Sequence, residues 1–157
     1  MKRSERQQRD EMPAGAVPAM ETPPHAAAPL MSVAVMAGFP SPAEQYVERP
    51  LDLNELLVAR PAATYFVRAA GDSMTGAGIQ DGDLLVVDRS LDPADGAVVI
   101  ACVDGEFTVK TYRRDADGVR LEAANPAYPP IRFAGEMELR VFGVVTAVVH
   151  RLVTRKP

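Results

Sequence analysis

Asp-Gly pairs recur through the second half of the chain, and they constrain its fold more than any other feature. They lie at residues 81–82, 95–96, 104–105 and 117–118. Between two β-patterned runs, an Asp-Gly pair favours a tight turn whose twist matches that of antiparallel strands. The runs around these pairs are rich in valine, leucine and aromatic residues, and they recur roughly every ten residues. The pattern predicts a mainly β, antiparallel domain.

Seven runs have the alternation or the β-branched and aromatic content of strands. They cover residues 64–69, 84–87, 97–103, 106–112, 119–122, 131–133 and 139–153. The third Asp-Gly turn predicts that the strand of Cys102 pairs antiparallel with the next strand. Gly143, in the last run, is expected to mark a bend or a bulge. One short helix is predicted at 52–57, where Asp52 and Glu55 have capping-box spacing and leucines share one face.

Residues 1–37 differ in composition from the rest of the chain. Residues 13–37 contain five prolines and eight alanines, with almost nothing that could build a core. This composition predicts a flexible or extended Pro/Ala-rich N-terminal arm before a folded domain at 38–157. An apolar run that ends at Ala37 is also typical of a secretory signal, but four acidic residues precede it and Pro29 interrupts it. No segment is long enough to span a membrane, so a cytoplasmic protein is expected.

Charge and cysteine content exclude several classes of protein. The chain of 157 residues has a formal net charge of −4 and no basic stripe, so direct binding of nucleic acid is not expected. Cys102 is the single cysteine and lies in an apolar run, which predicts a buried core residue and excludes a disulfide-built secreted domain. His25 and His150 have no cysteine or carboxylate cluster at ligand spacing, so neither a metal nor another cofactor is expected.

Ser73 and Lys110 are the candidate catalytic residues. Ser73 lies within residues 71–74 (Gly-Asp-Ser-Met), directly after a predicted strand, where a turn can present a hydroxyl. A serine needs a neighbouring base to take its proton, and lysine serves as that base only when burial keeps it neutral. Lys110 is the only lysine away from the termini, although the chain otherwise uses arginine, which does not deprotonate. These residues alone also allow a plain turn at Ser73 and an exposed lysine on a strand.

Six segments together carry a nearly collinear resemblance to a known family. They are GFPSPA at 38–43, ATYFV at 63–67, GDSM at 71–74, DGDLL at 81–85, VDGEFTVK at 103–110 and VFGVV at 141–145. On these residues the chain, from Gly38 to about Val149, resembles the SOS mutagenesis proteins of the LexA-like family of Ser/Lys self-cleaving peptidases (S24). The fold that this resemblance implies is a LexA-like antiparallel β peptidase domain with one short helix.

The resemblance also implies a function. The chain would be a precursor that its own Ser/Lys site cuts between Ala37 and Gly38, with Ser73 as nucleophile and Lys110 as general base. Backbone N–H groups near Ser73 would be the oxyanion donors. The RecA filament on single-stranded DNA would stimulate the cut. The product, residues 38–157, would be a homodimer that joins the UmuC polymerase subunit for error-prone translesion DNA synthesis.

Three other functions share parts of this pattern. A LexA-type repressor has the peptidase domain but needs a DNA-binding helix-turn-helix upstream, which the Pro-interrupted residues 1–37 do not predict. A signal-peptidase-like enzyme uses similar chemistry but carries a membrane anchor, and no apolar segment suits one. A catalytically silent interaction module would regulate the DNA damage response through the fold alone. The presence of Ser73, Lys110 and a small-residue bond at Ala37 favours the self-cleaving peptidase.

Overall fold

The computed structural model describes residues 13, 15–19, 26–31, 37–38, 47–133 and 137–153. Within these ranges the chain has ten strands and one α-helix. The strands are β1 (Val17–Pro18), β2 (Ala27–Met31), β3 (Val47–Asp52), β4 (Thr64–Arg68), β5 (Leu84–Asp88), β6 (Val98–Val103), β7 (Glu106–Asp115), β8 (Gly118–Glu122), β9 (Ile131–Arg132) and β10 (Leu139–Val149). The helix is α1 (Leu53–Leu57), and short 3-10 turns cover Pro61–Ala63 and Thr75–Ala77. None of the described helices is long and apolar enough to cross a membrane.

The strands form one large antiparallel sheet and a separate hairpin. Eight strands lie in the order β1-β4-β5-β10-β6-β7-β8-β9, and every neighbouring pair is antiparallel. β2 and β3 pair antiparallel in a sheet of their own. β10 joins the two halves of the large sheet, because its first part pairs with β6 and its second part with β5. The prediction of a mainly β, antiparallel domain with one short helix is confirmed.

The turn between β6 and β7 has the geometry that its Asp-Gly pair predicts. Asp104 and Gly105 both have positive φ, 49° and 85°, as a primed two-residue turn requires. The resulting register sets Val99 opposite Lys110. The predicted pairing of these two strands is therefore confirmed, and Lys110 lies on a strand that the sheet holds in place.

Gly143 lies at an irregularity in β10, as the sequence predicts. The pairing of β10 with β6 shifts register between Val141 and Gly143. A Cβ atom at Gly143 would lie 2.7 Å from Val87 Cγ1 and 3.0 Å from the carbonyl oxygen of Asp88. Both distances are shorter than an ordinary van der Waals contact, so the absence of a side chain lets β10 approach β5 at this point.

The core consists of two clusters of buried side chains. Leu85 and Ile100 belong to the first cluster, and Leu121 and Tyr112 to the second. Full burial of one leucine or isoleucine side chain contributes roughly 1.5–3 kcal/mol, so these apolar contacts dominate the stability of the sheet. Cys102 is 4% exposed, which confirms that it is a buried core residue.

The elements end at slightly different residues than predicted. α1 begins at Leu53, one residue later, because the Asp52 side chain accepts a hydrogen bond from the Asn54 N–H and acts as the N-cap. β7 continues beyond the predicted residue 112 to Asp115, and β10 ends at Val149 rather than at 153. These shifts leave the order of the predicted elements unchanged.

Three strands have no counterpart in the sequence prediction. β1 and β2 lie within the predicted arm, and β3 directly precedes α1. Each contains a proline, Pro18, Pro29 or Pro50, which argues against a central strand. In the structure, β1 is an end strand of the large sheet, while β2 and β3 form a two-stranded sheet in which neither pairs with a third described strand. A missing N–H is tolerated at such edges.

Candidate active site

Ser73 lies in the loop that follows β4. Gly71, with a φ of 86°, turns the chain out of the strand, and its N–H donates to Asp81 Oδ1 at 2.8 Å. Met74 is 3% exposed and belongs to the first core cluster. The 3-10 turn at Thr75–Ala77 follows immediately. The half-buried Ser73 is therefore held between a hydrogen-bonded glycine turn and a buried side chain.

The amine of Lys110 lies beside the hydroxyl of Ser73. The Lys110 Nζ atom is 3.1 Å from Ser73 Oγ, 2.9 Å from Thr108 Oγ1 and 3.0 Å from the carbonyl oxygen of Val109. Lys110 is only 8% exposed, so it is not an exposed strand lysine. Burial lowers the pKa of Lys110 from its ordinary value, because desolvation disfavours the ammonium form.

The three oxygen atoms around the amine suit a neutral lysine that accepts a proton. A neutral amine has two N–H donors and one lone pair. The carbonyl of Val109 can only accept, and the hydroxyl of Thr108 can accept the second N–H. The lone pair is then left for the O–H of Ser73, at 3.1 Å. In this protonation state the amine can take the proton of the Ser73 hydroxyl, which is what a serine needs to attack a carbonyl group.

A second loop, between β8 and β9, holds the loop of Ser73. The Gly76 N–H donates to the carbonyl oxygen of Ala124 at 2.7 Å. The Asn125 side-chain amide donates to the carbonyl oxygen of Asp72 at 3.0 Å, and the Tyr128 hydroxyl donates to Asp72 Oδ1 at 2.5 Å. The hydrogen bond to Asp72 raises the pKa of Tyr128. The residue before Ser73 is thus fixed at both its backbone and its side chain.

A cavity of about 310 Å³ opens beside Ser73. Most of its wall is apolar. The apolar lining includes Val67, Met74, Ile79, Ile100, Phe107 and Val109. Pro13, from the segment predicted to be an arm, also lines it. A cavity of this kind suits small apolar side chains of a peptide.

Ala37 and Gly38 do not line this cavity. Both residues are exposed and form a bend in the connection from β2 to β3. A Cβ atom at Gly38 would have no neighbour within 4 Å among the described atoms. The structure thus brings Ser73 and Lys110 together, while the predicted scissile bond lies outside the walls of the cavity as described.

Sequence reasoning did not assign a role at the site to Thr108, Asn125 or Tyr128. For Thr108 a signal existed, since it lies two residues before Lys110, and the alternation of a strand puts both on one face. Asn125 and Tyr128 lie in a proline-containing loop. Their contacts with Asp72, which is 53 and 56 residues away, depend on the tertiary fold.

Residues 29–146 match the family model described as Peptidase S24-like. This match covers most of the chain. The chain belongs to the Peptidase S24-like family. S24 is a serine peptidase family, and the relationship agrees with the LexA-like resemblance noted in the sequence.

Several curated proteins are similar to this chain over much of its length. The chain is 49% identical to protein SamA of Salmonella typhimurium over 131 residues, and this aligned region covers 83% of the chain and 91% of SamA. The chain is 48% identical to protein ImpA of Escherichia coli over 129 residues, which are 78% of this chain and 83% of ImpA. It is also 41% identical over 118 residues to LexA repressor 1 of Xanthomonas campestris, covering 74% of this chain and 58% of the repressor.

Proposed function

We propose that this S24 chain is a self-cleaving serine peptidase of the SOS response, with Ser73 as nucleophile and Lys110 as general base. One observation carries the proposal: a buried lysine amine lies 3.1 Å from a serine hydroxyl at the edge of an apolar cavity. The lowered pKa of Lys110 supports the same assignment, because only the neutral amine can take the proton of Ser73.

The bond to be cut is Ala37-Gly38. Ser73 Oγ attacks the carbonyl carbon of Ala37 while its proton passes to Lys110 Nζ. The tetrahedral intermediate collapses, the bond to the Gly38 nitrogen breaks, and Lys110 returns the proton to that amine. A water molecule, deprotonated by Lys110, then hydrolyses the ester between Ala37 and Ser73. This second step restores the serine and leaves a free carboxylate on Ala37.

The oxyanion of each intermediate needs donors that are already in place. The Ser73 N–H makes no backbone hydrogen bond to another described residue, so it is available for this role. Its position is set by the hydrogen bonds of the two residues before it, Gly71 and Asp72. One preorganised donor of this kind contributes about 3 kcal/mol to catalysis.

Cleavage requires the connection between β2 and β3 to move. Ala37 and Gly38 are exposed outside the cavity, so the bond has to enter it before Ser73 can attack. Because the bond is tethered to the enzyme or to its dimer partner, its effective concentration is high, and a weak binding site suffices. An activator that stabilises the arrangement in which this bond lies in the cavity would therefore increase the rate of cleavage.

The biological setting that we propose is supported by the resemblance to the SOS mutagenesis proteins of the LexA-like family and by the S24 relatives. The RecA filament on single-stranded DNA would be the activator, and residues 38–157 would form a homodimer that joins the UmuC polymerase subunit in the cytoplasm. Residues 1–37 contain four basic and four acidic residues, so their removal leaves the net charge unchanged at −4. The effect of cleavage would therefore be steric rather than electrostatic.

Incubation with activated RecA filament tests this function. The full chain and its Ser73→Ala variant are each mixed with RecA on single-stranded DNA, and intact masses are followed with time. A fragment that begins at Gly38 is expected from the wild-type chain only. The same fragment from the Ser73→Ala chain, or none from either chain with or without filament, would contradict the proposal. Co-purification of UmuC with the cleaved product, compared with the uncut Ser73→Ala chain, tests the partnership.

A further inference from the structure

A segment of the predicted arm is bound along an edge of the large sheet. β1 pairs antiparallel with β4, with Val17 opposite Phe66 and Pro18 opposite Tyr65. The Ala19 N–H donates to the carbonyl oxygen of Thr64 at 2.8 Å. β1 is the end strand of the sheet, so it covers the side of β4 that would otherwise be an open edge.

The same segment reaches the cavity at Ser73. Ala16 is half-buried and packs against the first core cluster. Its N–H donates to the carbonyl oxygen of Pro13 at 3.0 Å, and Gly15, with a φ of 81°, forms the turn between them. This turn places the buried Pro13 in the lining of the cavity beside Ser73.

The edge of β4 leads to the cavity beside Ser73, because Val67 and Arg68 of β4 also line that cavity, and this edge and the cavity are together called the groove. β4 ends at Arg68, and the loop of Ser73 follows within five residues. A chain that pairs with the open side of β4 is therefore led past the nucleophile, which is how strand addition positions a peptide. We infer that Pro13 and residues 15–19 form an inhibitory strand, which occupies the groove that the segment around Ala37-Gly38 has to enter.

This inference rests on the proposed function, and it adds a step to it. Two segments of one chain compete for a single groove, and only one of them carries the scissile bond. The rate of self-cleavage is then lowered in proportion to the fraction of molecules in which the inhibitory strand is bound. An activator can raise the rate by displacing this strand as well as by presenting Ala37-Gly38.

Two neighbouring substitutions in the full chain separate this role from a general effect of charge. Ala16→Glu places a carboxylate against the apolar cluster and is expected to release the strand. Val17→Glu adds the same charge one residue later, at a side chain that is 58% exposed, and serves as the matched control. Self-cleavage is followed by intact mass at about pH 10, just below the ordinary pKa of lysine, where the lowered pKa of Lys110 favours its neutral amine. Ala16→Glu is expected to cleave about fivefold faster or more, while Val17→Glu stays within about twofold of wild type.

The outcomes distinguish the inhibitory strand from the peptidase itself. If the wild-type chain cleaves itself, Ser73→Ala does not, and Ala16→Glu is no faster than Val17→Glu, the inhibitory strand is refuted and the peptidase stands. If the wild-type chain is not cut even with RecA filament, the proposed function fails and the inhibitory role fails with it.

Hydrogen exchange tests the docking of the strand without cleavage. Both variants are prepared in the Ser73→Ala chain, and exchange of the Phe66 amide, which lies opposite Val17, is measured by NMR. Exchange about tenfold faster in Ala16→Glu than in Val17→Glu is expected, because release of the strand opens the edge of β4. Equal exchange in the two chains would contradict the inference.

Discussion

Replacing Thr108 with valine should move the pH dependence of self-cleavage in a direction that the geometry fixes. Thr108 Oγ1 lies 2.9 Å from Lys110 Nζ, and valine has nearly the same shape without an acceptor. A hydrogen bond to a charged group contributes about 1.5–3 kcal/mol and one between neutral groups about 0.5–1.5 kcal/mol. The ammonium form of Lys110 therefore loses more than the neutral form, by about 1.3 kcal/mol at the midpoints of these ranges, and the pKa of Lys110 falls further below its ordinary value.

Two measurable effects follow for the Thr108→Val chain. The inflection in the logarithm of the cleavage rate against pH should move down by about one unit. The plateau rate at high pH should fall about two- to tenfold, because the neutral amine loses an orienting bond of about 0.5–1.5 kcal/mol. Below the inflection, the lower pKa offsets part of this loss.

The assay is the rate of fragment formation, followed by intact mass. It is measured from about pH 7 to about pH 11, a range that extends from well below the ordinary lysine pKa to just above it. Thr111→Val is the matched control, since it makes the same chemical change one residue after Lys110 and has no hydrogen bond to the amine. An inflection that moves upward in Thr108→Val, or that moves equally in Thr111→Val, would refute the role given to Thr108.

Three further substitutions test other parts of the site. Gly76→Ala would place a Cβ atom 2.5 Å from the carbonyl oxygen of Ala124, so urea unfolding should show a loss of about 1–3 kcal/mol together with slower cleavage; an unchanged midpoint would contradict the close approach. Tyr128→Phe removes the bond to Asp72 at an exposed side chain, and it should slow cleavage about two- to tenfold with little change in the unfolding midpoint. Lys110→Met tests the sign of the pKa shift. The lowered pKa means that the folded chain binds fewer protons than the unfolded chain between that pKa and about 10.4, so the stability of the lysine chain relative to Lys110→Met should rise with pH across this window. Urea unfolding in the Ser73→Ala background measures the difference in the free energy of unfolding between the two chains. A difference that falls as pH rises would contradict the lowered pKa of Lys110.

The parts of the site that local sequence determines could be predicted. The Asp104-Gly105 turn fixes a hairpin by its own backbone preference, and that hairpin alone puts Lys110 on a paired strand. The placement of Ser73 at the end of a strand is likewise a local matter of glycine and turn residues. That the two side chains meet required the family resemblance, because spacing along the chain does not determine a contact across 37 residues.

The parts that depend on tertiary contacts could not be predicted. β1 is two residues long and contains Pro18, so no period or propensity indicates it, and its position comes from the open edge of β4. The loop that holds Asp72 through Asn125 and Tyr128 has only turn residues as a local signal. Both features acquire their roles from surfaces that exist only in the folded domain.

Self-cleavage of the purified chain in the absence of any other protein tests the central claim most directly. The wild-type chain and its Ser73→Ala variant are incubated at about pH 7 and at about pH 10, the second being close to the ordinary pKa of lysine, and intact masses are recorded over time. The Ser/Lys mechanism predicts a fragment that begins at Gly38, formed faster at the higher pH and only by the wild-type chain. Formation of that fragment by the Ser73→Ala chain, or at a rate independent of pH, would contradict it.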